Sequence, residues 1–414
     1  VRHTGIGLPA LLLLFGGDAR AQDRKADVAA AVRGNTQAAL DLYARLRDRD
    51  GNLFFAPYSL SAALAMTYAG ARGETAEQMA RALHFTLPPG RPHPAFGELV
   101  KELGGSVPFL TRLTGPKRGY RLSTANALWG QRGYRFEADF LRLTRDHYGA
   151  GLGVVDFQGA TEGARQAINA WAEKETQGRI RDLLPKDFLN PSTRLVLTNA
   201  VYFKGDWASP FRKGGPPTGA FFLGDGREVQ AALMHQTGEF AFHDGGTFQA
   251  LELPYAGKQL SMVVLLPRRP EGLGDLEKAL TADTLAGVLA GLRKQTVAVT
   301  LPRFKVAAQF KLKEALSGMG MPAAFSSDAD FSGMVGRQPP VALSEVVHKA
   351  FVEVNEEGAE AAAATAVDAY TLASPTTVRP LLVVFRADHP FVFLIRDNRT
   401  GTILFLGRLV NPGA

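Results

Sequence analysis

Glu356-Glu357-Gly358-Ala359-Glu360-Ala361-Ala362-Ala363-Ala364-Thr365-Ala366 follows directly on Ala350-Phe351-Val352-Glu353-Val354-Asn355, a run with the partial apolar–polar alternation of a β-strand. By propensity alone the Ala-rich tract is an excellent helix. Read at period two, its faces sort cleanly. Ala359, Ala361, Ala363, Thr365, Val367 and Ala369 form one face, every member small or β-branched. Glu360, Ala362, Ala364, Ala366, Asp368 and Tyr370 form the other, which carries every charge. A segment whose inward positions are all small can slide between existing strands and be buried there without steric penalty. The stretch reads as a stored conformational change, able to serve as loop or as central strand.

Other long motifs flank it. Downstream lie Phe385-Arg386-Ala387-Asp388-His389-Pro390-Phe391-Val392-Phe393-Leu394-Ile395-Arg396-Asp397 and Thr400-Gly401-Thr402-Ile403-Leu404-Phe405-Leu406-Gly407-Arg408-Leu409-Val410-Asn411-Pro412. Upstream, in order, come Asn52-Leu53-Phe54-Phe55-Ala56-Pro57-Tyr58-Ser59, Leu197-Thr198-Asn199-Ala200-Val201-Tyr202-Phe203-Lys204-Gly205-Asp206-Trp207 and Leu343-Ser344-Glu345-Val346-Val347-His348-Lys349-Ala350. Together these stretches closely resemble the serpin family, protease inhibitors that trap their targets by inserting a reactive loop into a β-sheet. The likeness covers roughly Asn35 to Pro412.

The resemblance implies an α+β fold: a single domain with a large central mixed β-sheet, further sheets and about eight to nine helices. An exposed reactive loop, at about residues 358–384, lies near the C-terminus. It implies a hinge made of Glu356, Glu357, Gly358, Ala359, Glu360, Ala361, Ala362, Ala363, Ala364 and Thr365. It also implies that Ser59, Asn199 and His348 meet beneath the central strands, and that Trp207 gates the upper sheet. Side-chain hydrogen bonds suit such a place, because they can hold two strands together and exchange partners when a third arrives. Two departures stand out: Ala56 occupies a position where many relatives carry serine, and Ala359 one where they usually carry Thr or Ser.

The function implied is irreversible suicide inhibition of a serine protease, held as a covalent acyl-enzyme while the cleaved loop inserts. The family's usual interval of fourteen residues from the hinge glycine lands on Leu372, so the reactive bond is expected at Leu372-Ala373. Leu372 suits chymotrypsin-like or subtilisin-like enzymes. The stretch from Gly358 to Phe385 is longer than in compact relatives, so Tyr370 or Ala373 are alternatives, and Pro380 disfavours cleavage after Arg379. The alternative function is a non-inhibitory member acting as a binding or chaperone-type protein; charges or prolines on the inward hinge face would favour it, and none is there. No cofactor is implied, and the protein is expected to be a monomer with a liability to loop–sheet polymerisation.

Composition agrees. A chain of 414 residues that is 46% hydrophobic can bury a large core, and its short Pro/Gly linkers do not divide it into independent domains. Residues 1–21 read as a secretory signal peptide, with an apolar run from Leu8 to Phe15 and Ala19-Arg20-Ala21 before Gln22. Residues 22–34 then form an N-terminal extension to a domain spanning 35–414, and the protein is expected to be secreted or periplasmic. Having no cysteine, the chain can form no disulfide and no thiolate site. The net charge of +7 is scattered, with small clusters at Lys117-Arg118 and Arg179-Arg181 that read as solvated, so neither nucleic acid nor membrane is expected as a partner. The sequence holds no G-x-S-x-G elbow and no H-E-x-x-H pair, its eight histidines lack metal spacing, and the chain reads as a non-enzyme. Helices are expected early (Asn35–Arg47 with Asn35 as cap, Ser59–Ala69, Thr75–Leu83, Thr161–Gln177) and strands late.

Overall fold

The computed structural model describes residues 15–103, 120–149, 151–212, 218–356 and 382–413, with side chains from Gln22 onward. The strands are, in chain order, β1 (Leu53–Phe55), β2 (Tyr120–Gln131), β3 (Leu152–Val155), β4 (Leu195–Gly205), β5 (Gly219–Phe222), β6 (Glu228–Ala231), β7 (Leu233–Asp244) and β8 (Phe248–Pro254). They continue with β9 (Leu260–Pro267), β10 (Arg293–Pro302), β11 (Phe304–Lys311), β12 (Leu343–Val354), β13 (Val383–Arg386), β14 (Phe391–Asp397) and β15 (Ile403–Leu409). Ten α-helical segments accompany them among the described residues, two of which, Lys313–Gly318 and Ser332–Val335, are little more than a turn.

Two sheets matter for function. One has eight strands in the order β1-β15-β14-β9-β8-β7-β10-β13, and the other five in the order β11-β12-β4-β2-β3. In the five-stranded sheet β11–β12 and β4–β2 are antiparallel pairs, whereas β12 and β4, at its centre, run parallel. Strand β4 is near-continuously apolar because both its faces are covered. Its inner face (Leu195, Leu197, Val201, Phe203) joins the cores shared with the eight-stranded sheet. Its outer face (Val196, Ala200) packs with Ala164, Ile168 and Ala172 of the helix Thr161–Glu175.

The helix Pro57–Tyr68 carries apolar residues all round and is buried accordingly, packing against β2, β4 and β15. The first helix corrects a boundary. It runs from Phe15 to Leu46, so Asn35 sits mid-helix rather than at a cap, and residues 22–34 are part of it. The Asn35 side chain is turned out of the helix instead, donating from Nδ2 to the Ile403 carbonyl at 3.2 Å. This extension docks through buried Ala31 and Val32 and through a bidentate Asp27–Arg91 pair at 2.6 and 2.8 Å. At Arg303, between β10 and β11, the chain passes from the eight-stranded to the five-stranded sheet.

Candidate functional site

Strand register brings the polar residues together. His348 on β12 is the register partner of Asn199 on β4, which in turn opposes Asn126 on β2, and Phe310 of β11 opposes His348 on the other side. The row lies on the inner face, over the N-terminal turn of the helix that carries Ser59. The Ala56 N–H donates to His348 Nε2 at 3.0 Å, so that nitrogen is unprotonated and Nδ1 carries the hydrogen. Nδ1 donates to Asn199 Oδ1 at 2.5 Å. The Asn199 amide donates to Ser59 Oγ at 2.6 Å and to Asn126 Oδ1, and Ser59 Oγ donates to Asn126 Oδ1 at 3.1 Å. Every bond in this relay points the same way, which polarises and strengthens it.

Burial sets the charge state. His348 and Asn199 are fully buried between the two inner cores, and desolvation pushes the imidazole down to about 3. The ring is neutral at physiological pH and stacks on Phe310 at 6.2 Å. Asn126 is the member that sequence reasoning missed. Ala56, the missing serine, contributes its backbone instead: the helix start has no side-chain cap, and the free N–H goes to the histidine.

At the upper end of β12, Trp207 is buried, stacked on Tyr255 at 4.7 Å, and donates from Nε1 to the Asn355 carbonyl at 2.9 Å. Gly205 permits this stack, since a Cβ there would lie 2.5 Å from Tyr255 Cδ1. One residue further, buried Glu356 pairs with Arg303 from the β10–β11 junction. The chain leaving β12 is thus held by an indole hydrogen bond and an ion pair. The remaining residues of the expected hinge, Glu357, Gly358, Ala359, Glu360, Ala361, Ala362, Ala363, Ala364 and Thr365, and the expected reactive bond Leu372-Ala373 lie outside the described residues.

The arrangement is a closed parallel seam held by side-chain contacts on its inner face. β12 and β4 are paired from Leu343↔Leu195 to Glu353↔Lys204, and the relay joins them midway. Among the described residues no cluster of His, Cys, Asp and Glu could hold a metal ion.

A family model described as serpin (serine protease inhibitor) matches residues 33–412. The chain belongs to the serpin family. It is 42% identical over 377 residues to an uncharacterized serpin-like protein of Thermococcus kodakarensis, covering 90% of this chain and 83% of that one. It is 40% identical over 392 residues to the human leukocyte elastase inhibitor, covering 91% and 98%. Among solved structures, uncleaved ovalbumin superposes with a TM-score of 0.81 at 31% identity, over 93% of this chain and all of the other.

In this serpin the Arg303–Glu356 pair is expected to restrain the first residues of the hinge. Glu356→Lys places two cations together where one is held at a buried position, so the segment leaving β12 should come away from the β11 side more readily. We expect loop–sheet polymers on mild heating to form about ten-fold faster, read by native gel electrophoresis and size exclusion. An unchanged polymerisation rate would show that the pair does not restrain the segment leaving β12.

Proposed function

We propose that the chain is a suicide inhibitor of serine proteases, acting by insertion of the cleaved reactive loop between β12 and β4. The observation that carries this reading is the parallel pairing of those two strands at the centre of the sheet. A chain that turns back out of β12 runs antiparallel to β12, and therefore antiparallel to β4 as well. One inserted strand exchanges a parallel ladder for two antiparallel ones, which are more stable per residue. The tract following β12 has the small inward positions such a strand needs.

The steps follow from the geometry. A serine protease binds the loop and cleaves it at Leu372-Ala373, leaving its serine esterified to Leu372. The freed segment from Ala359 onward then enters the slot. Fourteen residues extended span roughly 45 Å, against a radius of gyration near 21 Å for a domain of this size. The tethered protease is carried across the inhibitor body, and distortion of its oxyanion hole and triad stops deacylation. For this to be spontaneous the uncleaved fold must be kinetically trapped. The Asn199–His348 relay and the Trp207–Asn355 hydrogen bond supply fastenings of the right kind, because both cross the slot or its mouth, while the Arg303–Glu356 pair ties the segment leaving β12 to the β11 side.

The relatives named leukocyte elastase inhibitor support an inhibitory role. The apolar residue at Leu372 supports a chymotrypsin-like or subtilisin-like target. The test is incubation with chymotrypsin, subtilisin, elastase and trypsin, followed by denaturing gels and the mass of the released C-terminal peptide. A denaturant-resistant adduct and a peptide beginning at Ala373 are expected. Clean cleavage with no adduct by any of the four would instead favour a non-inhibitory, binding-type serpin.

A further inference from the structure

The slot is crossed on its outer face as well. Tyr202 of β4 and Phe351 of β12 are register partners, and their rings stack with centroids 5.5 Å apart and planes 14° from parallel. The Arg179 guanidinium lies 5.2 Å above the Tyr202 ring. Arg179 thus does more than solvate a surface, as its cluster with Arg181 suggests in the sequence. It is delivered by a strap that leaves the helix Thr161–Glu175 through Gln177 and Gly178, both at positive φ. The strap is tied back to that helix by Asn169, whose side chain accepts from the Leu184 N–H at 2.7 Å and donates to the Leu184 carbonyl at 2.9 Å. It is also tied forward, since Lys349 of β12 donates to the Arg181 carbonyl at 2.7 Å.

We propose that Tyr202, Phe351 and Arg179 form an aromatic clasp that sets the rate at which the slot opens. The proposal rests on the insertion reading above. Entry of a strand moves β4 and β12 from one strand spacing to two, about 9.6 Å. A ring stack does not survive that separation, so it is lost wherever along the pathway the strands part at this row. The relay through His348 locks the inner face three residues below; the clasp locks the outer face nearer the mouth, where the leading residues of the loop arrive first. Its rings meet only in the closed sheet, so they resist opening and contribute nothing to the inserted state.

The experiment uses the full chain and a synthetic peptide with the sequence of residues 359–372, its uptake followed on native gels. Phe351→Leu keeps an apolar side chain of similar bulk but removes the stack, and is expected to take up peptide about five-fold faster than the unaltered protein. Arg179→Ala, at an exposed position, is expected to be about three-fold faster. Phe351→Tyr restores a ring and should return the original rate, which a merely space-filling role would not require. Equal uptake by all four proteins, or a Phe351→Tyr rate matching Phe351→Leu, overturns the clasp and leaves insertion standing. No uptake by the unaltered protein overturns the insertion reading and the clasp with it.

Discussion

Ala361→Arg is expected to abolish the denaturant-resistant protease adduct and leave the protein a cleaved substrate. Position 361 shares the small face of the tract with Ala359 and Ala363. That face must turn toward the inner cores, because the opposite one carries Glu360 and Asp368 and belongs on the outer face, where β12 itself carries the half-exposed Lys349 and Glu353. The inner positions beside the slot are Leu197, Val201, Ala350 and Val352, all buried and apolar, with the neutral His348–Asn199 pair as the one polar patch. An arginine entering there finds no carboxylate among those neighbours. An unpaired buried charge costs about 3–5 kcal/mol, enough to slow insertion by a factor of hundreds or more. Trapping is a race between insertion and deacylation, so a delay of that size gives the race to hydrolysis. Ala362→Arg, on the opposite face, is the control and should retain most of the adduct. Full adduct from Ala361→Arg would show that this face is not the one buried.

Acidification should loosen the slot through His348. The imidazole is held neutral in the closed sheet, down to about 3, whereas a hydrated one titrates near 6.5. The depressed value means that the open or unfolded form binds a proton the closed form excludes. Closed-state stability is therefore intact above about pH 6.5 and declines as pH falls from there toward 3. At pH 5 the loss is about 2 kcal/mol, or roughly thirty-fold in the equilibrium between closed and open sheet. Peptide uptake and polymer formation should both accelerate between pH 7.5 and pH 5 by up to that factor. Buried His93, pushed down to about 4 by desolvation with His147 and Arg72 nearby, adds acid lability of its own, away from the slot. The two separate in His348→Gln, whose uptake should be faster at neutral pH and nearly flat on acidification. A His348→Gln variant as acid-sensitive as the unaltered protein would place the sensor elsewhere.

How much of this could be read from the chain depends on what each feature is made of. The small face of the tract after Gly358, on which the insertion proposal rests, can be read from the chain because small size at every second position is a one-dimensional pattern. Ser59, Asn199 and His348 were legible from the motifs that contain them. Asn126 was not, because a single amide in a strand carries no signal; only the β2–β4 register places it beside Asn199. Arg303 was invisible for the same reason, as its partner Glu356 lies 53 residues away and the two meet only because β11 and β12 pair antiparallel, Phe304 opposite Val354. The parallel sense of β12 and β4 is likewise a property of topology, and the proposed insertion rests on it. Asn35 misled in the opposite direction. Cap-forming residues are favoured at helix starts because their side chains bond locally, but here the side chain found the Ile403 carbonyl across the core and the helix ran through it.

The most direct measurement is thermal unfolding before and after a single cut in the loop by a protease the protein does not trap. If the segment after Gly358 becomes a central strand between β12 and β4, the cut form gains two antiparallel ladders at the cost of one parallel ladder. A gain of about 10 kcal/mol corresponds to a rise in midpoint of roughly 10 °C for a chain of this size, at about 2.1 cal/mol/K of unfolding entropy per residue. The cut protein should therefore remain folded well above the temperature at which the intact one melts. A midpoint that is unchanged or lowered by cleavage would contradict insertion, and with it the proposal that the slot exists to receive the loop.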